Sequence, residues 1–103
     1  MGLEEEFTQA LEGTIDAAKA RGDVPTYFMQ MLGEHGGRET AKHLLAKSTP
    51  QTGLFELWNL GLLRDSMEAV ICDNPRFQEM FDEVELAEAR RRLEELGYFK
   101  EGK

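Results

Sequence analysis

The sequence predicts an all-α protein, a compact single-domain bundle of about five to six short helices over residues 1–103, and three observations predict it. Apolar residues recur at three- and four-residue steps through most of the chain, which is the period of a helix face. Ser, Asp, Pro and Gly stand where helices begin and end. No alternating run, hairpin dipeptide or internal repeat competes with that reading.

The first helix is expected from about Leu3 to Arg21, with Leu3, Phe7, Leu11, Ile15 and Ala18 on one stripe. Glu4, Glu5 and Glu6 at its start and Lys19 at its end suit the macrodipole, and Gly22 can take the left-handed conformation that stops it. The remaining helices are expected between about residues 25 and 97. Pro25 opens the second, in which Tyr27, Phe28, Met31 and Leu32 recur at helical spacing until Gly36-Gly37. A third, from about Arg38 to Lys47, turns Ala41, Leu44 and Leu45 inward.

Ser48-Thr49-Pro50-Gln51-Thr52-Gly53 has the composition of a connector. Leu54, Phe55, Leu57, Trp58 and Leu60 follow as the most apolar stretch, ending at Gly61, and predict a central helix with Phe55 and Trp58 in the core. Asp65 or Ser66 is expected to cap the next helix, Glu68 lying three residues after Asp65 as a capping-box partner and Met67, Val70 and Ile71 facing inward. Asn74-Pro75 breaks the chain before a short turn carrying Phe77, Met80 and Phe81. Asp82 and Glu85 repeat the capping-box spacing and open a last helix to about Leu96. Its inner positions are Leu86, Ala89, Leu93 and Leu96; Glu85, Glu88, Arg91, Arg92 and Glu95 are expected to pair along its exposed side. Gly97 ends it, and Tyr98 and Phe99 are expected to fold back onto its last turn.

A formal charge of −8 repels phosphate backbones and anionic lipid head groups and favours a basic protein partner. Nucleic acid is disfavoured as a partner on this average; the alternative would use Arg38, Lys42 and Lys47, or Arg90 to Arg92. Arg90-Arg91-Arg92 is flanked by Glu88, Glu94 and Glu95, which largely neutralise it, and the segment from Leu54 to Asn59 offers little that a recognition helix needs. The single cysteine, Cys72, allows neither a disulfide framework nor a multi-thiolate metal site, and the acidic start and lack of a long apolar run predict a cytoplasmic chain without a membrane segment.

No catalytic, cofactor-binding or metal-binding residue is expected. His35, Glu39 and His43 would share a face only on one continuous helix, which Gly36-Gly37 interrupts. Gly36-Gly37-Arg38 before a helix could hold an anion, but a tight turn explains the glycines and a P-loop's length and ending are missing. Cys72 lacks an activating cation nearby in sequence. These features predict a non-catalytic accessory or protein-interaction module.

The stretches Glu34 to Lys42, Gly53 to Trp58, Ser66 to Val70, Ala89 to Leu93 and Gly97-Tyr98 together resemble a small all-helical bacterial family of uncharacterised function. The resemblance spans about Tyr27 to Tyr98. It implies a domain that occurs alone or attached to larger proteins, some of them linked to DNA processing or defence, and it supplies no catalytic residues. The stretch Asn59 to Ser66 keeps the family's helix cap but departs from its charge pattern.

Overall fold

The amphipathic stripe of the first helix and the cap-rich second half meet around a shared apolar core in a computed structural model, which describes residues 2–47 and 52–100. Its helices are α1 (Leu3–Ala20), α2 (Thr26–Leu45), α3 (Thr52–Asn59), α4 (Met67–Cys72), α5 (Pro75–Gln78) and α6 (Glu83–Glu95). Short 3₁₀ turns at Leu63–Asp65 and Tyr98–Lys100 complete the order, and no strand occurs among the described residues. The all-α, single-domain expectation is met. Of the expected connector, residues 48–51 lie outside the described residues, while Thr52 and Gly53 already belong to α3.

Phe7, Leu11, Ile15 and Ala18 of α1 are all buried, as the stripe predicts. Phe7 is completely buried and meets the rings of Phe77 and Phe81 at centroid distances of 5.1 and 5.6 Å. Enclosing each such side chain stabilises the fold by about 1.5–3 kcal/mol, so this trio fixes α1 against α5.

Gly36 breaks α2 as expected, with φ of +79°, but the chain resumes helical geometry at once and 26–35 and 37–45 form one kinked element. Gly37 presses on α1. A Cβ there would lie 3.0 Å from Phe7 Cδ2 and from Thr8 Oγ1, and the Gly37 amide donates to Thr8 Oγ1 at 2.9 Å. The double glycine thus serves both a kink and a close helix crossing.

α4 is the central helix. Met67, Glu68, Ala69 and Ile71 are buried and Val70 and Cys72 partly so, because α4 lies between α1, α5 and α6. Its cap is Ser66, whose Oγ accepts from the Ala69 amide; the alternative cap Asp65 sits in the preceding 3₁₀ turn. Glu68 is therefore not a capping-box partner. Its carboxylate accepts from Arg92 Nη1 at 3.1 Å, and both side chains are at most 6% exposed.

That pairing corrects the expectation that Arg92 lies on the exposed side of α6. Arg92 also donates Nε to Glu88 at 2.6 Å and Nη2 to the carbonyls of Leu44 and Lys47 at 3.0 and 3.1 Å. The Lys47 carbonyl lies just past the end of α2, and the Leu44 carbonyl in its last turn also accepts from the Lys47 amide at 3.3 Å. One guanidinium thereby joins the ends of α2, α4 and α6, and burial is what makes its partners indispensable. The Asp82 and Glu85 capping box of α6 forms as predicted, and Glu85 additionally accepts from Lys42 Nζ at 2.8 and 3.0 Å.

Candidate interaction surface

α3 is closed at its C-terminal end by Gly61 (φ +73°), whose amide donates to the Trp58 carbonyl while the Leu62 amide reaches back to Leu57. This glycine termination turns the chain into the 3₁₀ turn at Leu63–Asp65, and that turn is the element on which α3 chiefly packs. Among its described side chains the helix buries Leu54, which packs with Leu63, Ala69 and Leu93, and Leu57 in part. Phe55 is 44% and Trp58 49% exposed. The expected core placement of both aromatics is overturned: they form a second stripe, about 100° around the helix from Leu54 and Leu57, and nothing among the described elements covers it.

Behind α3 lies a partly open cavity of about 400 Å³. Ile15 and Ala18 of α1, Phe28 of α2, Leu54 and Leu57 of α3 and Met67 of α4 give it apolar walls. Tyr27, 57% exposed, marks its mouth, and Lys47 Nζ sits over the Tyr27 ring 5.6 Å from the centroid. Asp65 and Glu68 also line it. Burial raises the Glu68 pKa, an effect that the Arg92 charge opposes.

The cations weighed for nucleic-acid binding are engaged elsewhere. Arg38 pairs with Glu39 at 3.1 Å, Lys42 with Glu85, and Arg92 with Glu68 and Glu88. Arg91 bridges Glu88 and Glu95 at 2.7 and 2.5 Å, and Arg90 lies 4.8 Å from the Phe99 ring centroid. Hydrogen bonds from Arg91, then from Arg92, hold the Glu88 carboxyl down at about 2.

His35, Glu39 and His43 are exposed, and the Gly36 kink separates His35 from the helical register of the other two. Among the described residues, no group of three or more His, Cys, Asp or Glu side chains is placed to hold a metal. The Gly37 amide, considered for an anion, is taken by Thr8. Cys72 is half-buried, and burial pushes its thiol up to about 11, away from nucleophilic use.

Sequence reasoning missed the exposed aromatic stripe and the cavity. One signal was present: Leu54 with Leu57, and Phe55 with Trp58, are two separate i, i+3 pairs, and a short helix buries both only when it is surrounded. No family model, characterised protein or solved structure matches the chain. Among the described residues no helix is long and apolar enough to cross a membrane.

Proposed function

We propose that the chain is a non-catalytic interaction module that docks a basic protein partner against the outward face of α3. The observation that carries this reading is the exposure of Phe55 and Trp58 on a helix that contributes little else to the core. Aromatic side chains of this kind are the usual anchors of protein interfaces, and single exposed rings side by side on one face form a patch rather than scatter. The net charge of −8 and the exposed Glu56 flanking this stripe beside Phe55 favour a partner with Lys or Arg around its apolar anchors. Commitment of Arg38, Lys42 and Arg90 to Arg92 to carboxylates and a ring supports a protein partner over nucleic acid. Membership of the bacterial helical family and a cytoplasmic setting belong to the same proposal, on the motifs and the single cysteine.

Trp58 is the only tryptophan, so its emission reports this face directly. Titration with an amphipathic Leu/Lys helical peptide is expected to shift that emission to the blue, saturably and less strongly as salt rises. Phe55→Ala is expected to weaken binding about tenfold, the scale of an interface anchor. Equal binding of the Leu/Glu counterpart, or no binding by calorimetry, overturns the reading. Salt-sensitive binding of a duplex or single-stranded oligonucleotide in place of the peptide would transfer the function to the nucleic-acid class.

A further inference from the structure

The cavity behind α3 is separate from the outward Phe55 and Trp58 stripe, and neither aromatic lines it. Its volume of about 400 Å³ falls within the range of small-molecule sites, and its apolar walls are joined by seven polar or charged residues that could orient a ligand. The polar groups are unequal in what they have left to offer. Glu68 is already neutralised by Arg92, and the Thr14 hydroxyl donates to the Leu11 carbonyl at 2.6 Å, which leaves its oxygen as an acceptor only. Asp65 is half-buried, and its carboxylate has no hydrogen bond or ion pair among the described residues. Lys47 is the lining cation, opposed by both Asp23 and Asp65, so with the Glu68 and Arg92 charges cancelled the cavity retains a negative balance.

We propose that this cavity is a binding site for a small organic cation with an apolar body, the alkylamine or arylalkylamine class, its hydrocarbon enclosed by Ile15, Ala18, Leu54 and Leu57 and its ammonium directed to Asp65. The chemistry follows from pairing. An alcohol leaves Asp65 without a counter-charge, a carboxylate repels it, and an ammonium supplies both a charge and donors. An inorganic cation would forgo the apolar walls, which supply the hydrophobic part of the affinity.

The test uses three probes of equal chain length, octylamine, octanol and octanoate, all below their aggregation concentrations. Binding is measured by calorimetry and located by amide chemical shifts. Octylamine is expected to bind tightest and octanoate weakest, with shifts concentrated at residues 14–18, 53–57 and 65–68. Asp65→Asn is expected to lower octylamine affinity about tenfold and leave octanol unchanged, the signature of a lost charge-assisted contact. Leu57→Trp, on a side chain only partly buried, is expected to fill the cavity and abolish binding of all three probes while the melting temperature stays near that of the parent. Trp58→Ala is expected to leave octylamine binding intact. Octanol or octanoate binding as tightly as octylamine, an unchanged octylamine affinity in Asp65→Asn, shifts located elsewhere, or loss of octylamine binding in Trp58→Ala would each overturn the proposal. The last outcome would assign octylamine to the aromatic face, whereas failure of the peptide titration alone leaves the cavity result standing.

Discussion

Two helices exchange the places that their compositions suggest. α3 reads Thr-Gly-Leu-Phe-Glu-Leu-Trp-Asn and, among its described side chains, buries Leu54 alone; α6 is mostly Glu and Arg, yet buries Ala89, Arg92 and Leu93. Hydropathy measures what a segment would gain by burial, while the neighbours that the chain supplies decide whether burial occurs. α6 has α2 and α4 against it and a guanidinium reaching both; α3 packs chiefly on one 3₁₀ turn and reaches Ala69 and Leu93 through Leu54 alone. Apolar residues left without neighbours are then free for a partner.

The strongest way to break this comparison is Arg92→Ala. It strands the buried Glu68 carboxylate and the Lys47 carbonyl and takes one of the donors from the Leu44 carbonyl, so a loss of about 3–5 kcal/mol is expected in denaturant unfolding. The double variant Arg92→Met with Glu68→Leu removes both charges and is expected to recover most of that loss. An Arg92→Ala protein as stable as the parent would mean that the joint between α2, α4 and α6 carries no weight.

Gly37→Ala probes the tight packing of α1 on α2. Its new methyl meets the Phe7 ring, the Thr8 hydroxyl and the Thr8 backbone, the last at 3.1 Å, and backbone cannot swing aside. A loss of about 1–3 kcal/mol is expected, read as a lower denaturation midpoint.

Glu88 sharpens the electrostatic side of α6. A carboxylate whose pKa is lower in the folded than in the unfolded chain stabilises above the unfolded value and loses that contribution as pH falls through the folded one. With Glu88 held at about 2, its contribution is present at neutral pH and fades from pH 4.5 towards 2. Because the group is partly solvated, Glu88→Gln is expected to cost under about 1 kcal/mol at neutral pH, and the difference from the parent should vanish in unfolding measured near the acid end.

Trp58→Ala should have the smallest effect, within about 0.5 kcal/mol, as for other exposed positions. A core tryptophan would instead cost about 3–5 kcal/mol, so one melting curve separates the two placements.

Local signals were legible in the sequence. Gly22, Gly36, Gly61 and Gly97 all adopt positive φ, the Asp82 and Glu85 box forms, and the α1 stripe is the buried one. Such features depend on a few adjacent residues, so the sequence states them outright. Burial of Arg92 depends on Glu68, 24 residues away, and on carbonyls more than 40 residues away. Periodicity placed Arg92 on the polar face of α6, and only the burial of Glu68 explains why it needs a cation. The cavity was hidden for the same reason, since its walls come from four helices separated along the chain.

The Arg92 joint also sets an order of events during synthesis. The Leu44 and Lys47 carbonyls and the Glu68 carboxylate leave the ribosome well before Arg92, which completes all three contacts in one step. Until then a nascent chain holds a carboxylate that its surroundings bury only at high cost. A chain cut after α5 therefore keeps its helical signals and lacks the cation that the buried Glu68 carboxylate pairs with.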